Sequence, residues 1–380
     1  MFEDVVAYIR RLFPGRESIP LHEPVFAGRE RDYVLAAIDS TFVSSVGKFV
    51  EQFEQMMSDY TGASYAVATV NGTSALHAAL LVAGVKPGDE VITQSLTFVA
   101  TANAITYCGA QPVFLDVDRD TLGLSPAALA AFLREHTEQA GEECHNKTTG
   151  RRISACVPMH SFGLPCRIEE IADLCQGHNL MLVEDAAESL GSTQHGRHAG
   201  TFGHLGVYSF NGNKTVTCGG GGAIVTSDKK FAAHAKHLTT TAKKPHPYRY
   251  EHDEVGFNYR MPNLNAALAC AQLENLELFI ADKRRLAGQY QEFFRHRAAI
   301  SFVVEPPECR ANYWLNTVLL ADAASRDLFL NEVCGAGIQT RPAWELLNRL
   351  KIYHHCQTDS LVNANWLADR IVNLPSSVRL

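Results

Sequence analysis

Strand-like and helix-like segments alternate along this chain from about residue 30 to residue 235, and this alternation limits the possible folds more than any other feature. Residues 65–70 are an apolar run typical of a buried strand, and residues 74–83 have the composition of a helix. The same order returns after the strand-like segments 90–93 and 112–117. Strands that alternate with helices form a mostly parallel sheet with helices on its faces, so we predict an α/β fold.

Two changes in this pattern guide the predicted domain organisation. Residues 135–152 are polar and contain Gly141 and Gly150, which indicates a surface loop, because a strand-like segment resumes directly afterwards. After about residue 261 a long helix is predicted over residues 263–290, and short apolar segments such as 314–320 follow it. We predict a large domain over residues 1–255, with an N-terminal segment 1–30, and a smaller C-terminal α+β domain over residues 256–380.

Charge and cysteine usage exclude several classes of partner. The net charge of −7 and the lack of a basic stripe argue against a nucleic-acid partner, since phosphate backbones select clustered Lys and Arg. The N-terminus has neither the apolar stretch of a signal peptide nor that of a membrane span, so we expect a cytoplasmic protein without a membrane partner. The ten cysteines are scattered without metal-site spacing, which predicts reduced thiols and no metal site.

A polar turn joins the first predicted strand to its helix. Gly72, Thr73 and Ser74 fall at the expected helix N-terminus, where free backbone N–H groups and hydroxyls favour an anion such as phosphate. When these residues are taken alone, an ordinary helix cap is the better explanation. The anion interpretation gains weight because ligands in α/β sheets collect at the carboxyl ends of the strands.

Asp185 and Lys214 together point to a specific cofactor. Asp185 ends an apolar strand-like run, and Lys214 lies on a polar loop that precedes the glycine run 219–222. Pyridoxal phosphate needs a lysine that holds its aldehyde as a Schiff base and a buried anion that keeps its ring nitrogen protonated. A capping aspartate and a solvated lysine are the simpler alternatives, but the two residues in this order favour pyridoxal phosphate.

Several motifs resemble those of a known family. They are the segments 19–26, 39–47, 71–77 and 94–101, together with the run around Asp185 and Lys214. With these motifs the chain resembles the DegT/DnrJ/StrS family of pyridoxal phosphate-dependent sugar aminotransferases over essentially its whole length. The resemblance implies the type I aminotransferase fold, in which the large domain holds a mostly parallel seven-stranded sheet.

The resemblance also implies roles for individual residues. Lys214 would be the catalytic Schiff-base lysine and Asp185 the partner of the ring nitrogen, and Lys214 excludes the family's dehydratases, which carry His there. The other implied cofactor contacts are Gly72, Thr73, Ser74, Phe98, Glu188 and Ser209. Glu188 stands where many members have Gln, which leaves the hydrogen bond to the cofactor's phenolic oxygen open.

Two further implied roles lie beyond the cofactor. The motif 256–261 implies that Asn258 reaches the phosphate site of a neighbouring subunit, and hence a homodimer with shared active sites. Arg260 and Arg341 are the expected contacts to substrate phosphate.

The motifs are most similar to the branch that aminates UDP-linked 4-keto-6-deoxy-N-acetylhexosamines for bacterial glycans such as legionaminic acid and bacillosamine. This resemblance implies transfer of an amino group from glutamate to C4 of such a UDP-sugar. Three alternatives stay open: a dTDP- or GDP-linked 4-keto sugar as acceptor, a non-catalytic pyridoxal phosphate sensor, and a lyase or desulfurase that uses Cys218.

Overall fold

The computed structural model describes residues 1–380 and contains twelve α-helices and sixteen strands. The helices are α1 (Glu3–Leu12), α2 (Glu30–Asp39), α3 (Lys48–Thr61), α4 (Gly72–Val82), α5 (Val99–Tyr107), α6 (Pro126–His136), α7 (Ile168–Gly177), α8 (Lys229–Thr239), α9 (Asn263–Leu273), α10 (Leu276–Phe294), α11 (Ala323–Gly335) and α12 (Val362–Ala368). No helix combines the length and the apolar composition that crossing a bilayer demands.

The strands fall into one large and two small sheets. They are β1 (Tyr65–Thr69), β2 (Glu90–Gln94), β3 (Gln111–Leu115), β4 (Thr137–Ala140), β5 (Glu143–Asn146), β6 (Arg152–Val157), β7 (Met181–Asp185), β8 (Thr193–Gln194), β9 (Arg197–His198), β10 (Leu205–Ser209), β11 (Gly222–Thr226), β12 (Ile300–Phe302), β13 (Cys309–Arg310), β14 (Asn316–Leu320), β15 (Arg341–Pro342) and β16 (Ile371–Leu374).

The large sheet has the order β1-β11-β10-β7-β6-β2-β3 along its main path. Strands β10, β7, β6, β2 and β3 pair in parallel, and β11 is antiparallel to both β10 and β1. The predicted α/β fold with a mostly parallel seven-stranded sheet is therefore confirmed. Because β1, β2, β7 and β10 end at the same edge, the segments that follow them meet there.

The C-terminal part forms a second sheet of order β12-β14-β16-β15, in which every pairing is antiparallel. Its core joins Val318 of β14 and Phe329 of α11 to Val5 and Ile9 of α1, so the N-terminal helix packs against this smaller sheet. Helix α9 instead packs against α2 and α3, beside the large sheet. The predicted division after residue 255 stays a prediction.

Two predicted elements differ from the structure. The helix expected over residues 263–290 is two helices, since the chain leaves helical geometry at Asn275, which has φ −104° and ψ 3°. The surface loop expected over residues 135–152 contains the hairpin β4–β5, which turns at Gly141 with φ +68° and pairs with the start of β6. A left-handed turn residue between two short polar strands explains the hairpin.

Candidate active site

Helix α4 begins at the edge of the large sheet with a side-chain cap. Asn71 is extended, with φ −166° and ψ 169°, and its Oδ1 accepts a hydrogen bond of 2.7 Å from the Ser74 amide. The Ala75 amide donates to the Asn71 carbonyl oxygen. The amides of Gly72 and Thr73 have no helical carbonyl to bond and stay available to an anion.

Close packing of the chain at the start of α4 requires glycine at positions 72 and 222. A Cβ on Gly72 would lie 2.8 Å from Cβ of Ser209, and one on Gly222 would lie 2.4 Å from the Asn71 carbonyl oxygen. Both distances are shorter than van der Waals contact permits. The glycines therefore bring the β10 and β11 strand ends against the start of α4 and place the Ser209 hydroxyl near its amides.

Asp185 is the last residue of β7, in the middle of the sheet, and is 5% exposed. The Thr101 hydroxyl donates 2.8 Å to its Oδ2, and the Ala187 amide donates 3.2 Å to its Oδ1. Burial raises the pKa of Asp185, while these hydrogen bonds and the charge of Lys214 oppose the rise. A buried carboxylate held only by neutral donors favours a cationic ligand next to it.

Lys214 lies on the turn after β10, and the side chains of Trp314 and Asn265 hold this part of the chain. Trp314 Nε1 donates 2.7 Å to the Asn213 carbonyl oxygen, and the Lys214 amide donates 3.0 Å to the Asn211 carbonyl oxygen. Farther along, Asn265 Nδ2 donates to the carbonyl oxygens of Cys218 and Gly220. The turn is thus fixed from the small-sheet side and from α9.

Nζ of Lys214 contacts Glu188 and Trp314. It donates 3.1 Å to Oε1 of Glu188 and lies 4.0 Å from the centre of the Trp314 ring. Burial raises the pKa of Glu188 to about 7, against the lowering effects of Lys214 and of the Phe162 amide, which donates 2.9 Å to Oε2. Glu188 can therefore hold or release a proton near neutral pH.

Aromatic side chains form the opposite side of the site. Phe98 caps α5 with extended backbone and is 48% exposed, so its ring is accessible to a ligand. Trp344 lies 6.2 Å from the Phe98 ring centre and stacks on Phe162 at 4.7 Å. The wall offers flat apolar surface to a planar or sugar ring.

These groups enclose a cavity of about 380 Å³. Its lining includes seven of the predicted residues: Gly72, Thr73, Phe98, Asp185, Glu188, Ser209 and Lys214. The remaining predicted residues do not line it. Ser74 follows Thr73 in α4. Asn258 is exposed and accepts a 3.1 Å hydrogen bond from Arg260 Nε. Arg341 is exposed in β15.

The sequence matches the DegT/DnrJ/EryC1/StrS aminotransferase family over residues 25–380. The chain belongs to this family. It is a pyridoxal phosphate-dependent sugar aminotransferase, so the predicted family, enzyme class and cofactor are confirmed, and the sensor alternative is not supported.

Individual relatives cover nearly the whole chain. GDP-perosamine synthase of Caulobacter vibrioides is 38% identical over 95% of this chain and 94% of its own length. GDP-perosamine synthase of Escherichia coli O157:H7 is 36% identical over 94% and 93%. A solved structure of DesI in the presence of its TDP-sugar product has a TM-score of 0.83 at 29% identity and covers 99% of this chain and 92% of that one.

The cavity fits pyridoxal phosphate on its own residues. The space that Gly72 leaves beside Ser209, together with the free amides of α4, suits a phosphate group. Asp185 has no cationic hydrogen-bond partner in the protein, which suits a protonated ring nitrogen, and Lys214 Nζ lies in the same cavity.

Sequence reasoning missed three residues of the site. Thr101 donates a hydrogen bond to Asp185 from the first turn of α5. It belongs to the segment 94–101, which carries part of the family resemblance, so that segment was the available signal. Trp314 and Trp344 come from the C-terminal part and approach the site only through the packing of the small sheet. No local signal in the sequence distinguishes these two tryptophans from core residues.

Cys218 does not provide a nucleophile. It is 2% exposed, does not line the cavity, and burial raises its pKa to about 12. Because a reactive cysteine needs an accessible thiolate, the structure gives no support to the lyase or desulfurase alternative.

Proposed function

We propose that this enzyme transfers an amino group from glutamate to C4 of a GDP-linked 4-keto-6-deoxy sugar. The observation that carries the choice of nucleotide is the 36–38% identity to two GDP-perosamine synthases over at least 93% of each protein. The motif resemblance had favoured a UDP-linked N-acetylhexosamine, and the relatives favour the GDP alternative. DesI, with its TDP-sugar product, makes a dTDP-sugar the second candidate.

Two residues would carry the proton chemistry. Pyridoxal phosphate, when bound, supplies an electron sink that allows a proton to leave the carbon bearing the amino group. Asp185, held by Thr101 and Ala187, would keep the cofactor's ring nitrogen protonated through its buried negative charge. Lys214 would bind the cofactor's aldehyde and, once released, accept and return the proton at Nζ, 3.1 Å from Glu188.

Other residues would bind and orient the cofactor. Gly72, Thr73, Ser74 and Ser209 would surround its phosphate at the start of α4, where the helix dipole favours negative charge. Phe98 would cover one face of the ring. Glu188 in its protonated form could donate to the phenolic oxygen, which its pKa of about 7 allows near neutral pH.

The acceptor would enter beside the aromatic wall. Arg260 and Arg341 stay our candidates for its phosphates, although both lie outside the cavity of a single chain. The cavity walls of Trp344 and Phe98 offer the apolar surface that a 6-deoxy sugar would contact.

We also propose a homodimer in which Asn258 of one subunit completes the site of the other. Asn258 is exposed and does not line the cavity of its own chain. Nearby, Asn263 bonds the carbonyl oxygen of Phe42, and the apolar side chains of Phe42 and Val46 are 56% and 66% exposed. A second copy would remove this apolar surface from water.

The nucleotide is tested by measuring kcat/KM for the GDP-, UDP- and dTDP-linked 4-keto-6-deoxy sugars with glutamate. We expect the GDP-sugar to exceed both others by at least about tenfold, which corresponds to about 1.4 kcal/mol of transition-state binding. A higher kcat/KM for the UDP- or dTDP-sugar would refute the GDP assignment. A loss of the cofactor's absorbance band on adding glutamate alone reports the first half-reaction independently of the acceptor.

A further inference from the structure

Three metal-ligating side chains, His237, Asp253 and Glu254, meet on the surface at a place separate from the cavity, and His234 lies beside Glu254. His234 and His237 lie three residues apart on one face of α8, and Asp253 and Glu254 follow in the segment that leads to Asn258. Their side chains are between 27% and 41% exposed. The spacing along the sequence gave no metal signal, because the chain brings the two pairs together only through the fold.

The donor atoms of His237, Asp253 and Glu254 converge. His237 Nε2 lies 2.6 Å from Asp253 Oδ1 and 3.7 Å from Glu254 Oε1, and His234 Nε2 lies 3.3 Å from Glu254 Oε2. One ligand atom from each of His237, Asp253 and Glu254 lies within 4.8 Å of the others. Tetrahedral zinc bound at about 2.0–2.1 Å separates neighbouring ligand atoms by roughly 3.3 Å, a value that lies between the two distances from His237 Nε2.

We propose that His237, Asp253 and Glu254 bind one divalent transition-metal ion, with Zn²⁺ as the best match and solvent completing its coordination. Imidazole nitrogen and carboxylate oxygen are both good zinc ligands. With a neutral histidine the three ligands carry a charge of about −2, which balances the ion. The neighbouring Lys244 is paired with Glu251 at 3.0 Å, so its charge is partly neutralised.

Ordinary ion pairs are the alternative explanation of the cluster. In that case each short contact is a hydrogen bond from a histidine Nε2–H to a carboxylate oxygen, since a ring nitrogen without hydrogen and a carboxylate oxygen would repel each other. A bound metal would replace these protons. The two explanations therefore differ in whether the cluster takes up a metal at a pH above the usual histidine pKa.

A metal here would fix the segment that carries Asn258. The Phe257 amide donates 2.7 Å to the Leu238 carbonyl oxygen, and the Thr241 amide donates 3.0 Å to that of Phe257, so the ends of the segment are already tied to the end of α8. The middle is exposed, including Lys243 and Arg249. Ligation of Asp253 and Glu254 together with His237 would add a cross-link between this segment and α8.

The test uses the tag-free holoenzyme at about pH 7.5, above the ordinary pKa of a free histidine side chain. Calorimetric titration with ZnCl₂ should show one site per chain with a Kd of about 10 μM or below, equivalent to about 7 kcal/mol or more. That site should be lost in His237→Ala and in Asp253→Asn, and retained in His296→Ala, which removes an exposed histidine elsewhere.

Trypsin digestion gives a second readout. Zn²⁺ should slow cleavage after Lys243 and Arg249 in the parent enzyme and in His296→Ala, and should have no effect on those sites in His237→Ala. Unchanged cofactor absorbance would show that each variant is folded. Equal zinc binding by parent and His237→Ala, or no site tighter than about 100 μM in the parent, would overturn the proposal.

Discussion

At the scale of single residues, the site depends on two buried acids in different surroundings. Asp185 is held by neutral hydrogen-bond donors, whereas Glu188 is paired directly with Lys214. Burial raises the pKa of both, but Glu188 titrates near 7. We expect Asp185 to act as a permanent anion once a cationic ring nitrogen faces it, and Glu188 to respond to pH.

Replacing Asp185 by Asn should leave the protein folded and lower kcat by on the order of a hundredfold or more, because an unprotonated ring is a poor electron sink. The side chain keeps its size and can still accept the Thr101 hydrogen bond. Steady-state kinetics with circular dichroism as a control for folding measure this effect. Near-normal kcat would show that the carboxylate only organises the end of β7.

The raised pKa of Glu188 has a consequence for stability. Between pH 4.5, its ordinary value, and about 7, the folded state binds a proton that the unfolded state does not, so the free energy of unfolding falls as pH rises through this range. The loss is on the order of 3 kcal/mol. Urea unfolding of the cofactor-free protein from about pH 5 to pH 8 should show this slope, and Glu188→Gln should flatten it. Parallel pH curves for the two proteins would contradict the assignment.

At the scale of elements, the start of α4 depends on close contact with the end of β10. Adding a methyl group at Gly72 would place it 2.8 Å from Cβ of Ser209, and that short side chain cannot move far. The strand end would then shift away from the amides that we assign to the cofactor phosphate.

Gly72→Ala should therefore weaken pyridoxal phosphate binding by about tenfold or more, or about 1.4 kcal/mol, with little loss of helix content. A spectroscopic titration of the apoenzyme with the cofactor gives the affinity. Gly288→Ala is the matched control, because a Cβ at Gly288 in α10 meets no atom within 4 Å. Equal affinities for the two variants would show that the contact between Gly72 and Ser209 does not contribute to binding of the cofactor phosphate.

Local sequence pattern predicted the elements that carry the site, because β1, β7 and β10 are apolar runs bounded by clear turn signals. It failed where packing between distant segments decides where a helix ends or which side chains reach the site. The break at Asn275 lacks Gly or Pro, and it lets α9 pack on α2 and α3 while α10 continues to the small sheet. Trp314 reaches Lys214 only because the small sheet packs against the loop after β10.

At the scale of the whole molecule, the proposed dimer makes a prediction about mixed subunits. Lys214→Ala and Asn258→Asp should each be nearly inactive, the second because its carboxylate would repel the partner's cofactor phosphate. After subunit exchange, hybrid dimers would contain one site with both native residues and one with neither. Mixtures should recover part of the parent activity.

The matched control for this experiment mixes Lys214→Ala with Asp185→Asn. Both residues line the cavity of one chain, so every site in such hybrids carries a defect and activity should stay low. Exchange can be followed by mass spectrometry of differently labelled subunits. If confirmed hybrids of the first mixture gain no activity over the separate proteins, the site is built within a single chain.

The central claim is that this cavity, with Lys214 moving the protons, transfers nitrogen from glutamate to C4 of a GDP-linked sugar. It is tested most directly by incubating the holoenzyme with ¹⁵N-glutamate and the GDP-linked 4-keto-6-deoxy sugar and recording the NMR spectrum of the product. We predict ¹⁵N coupled to the proton at C4, and no labelled sugar with Lys214→Ala, since no other cavity residue is a lysine. Labelled amino sugar from Lys214→Ala at the parent rate, or no label in the sugar with the parent enzyme, would contradict the account.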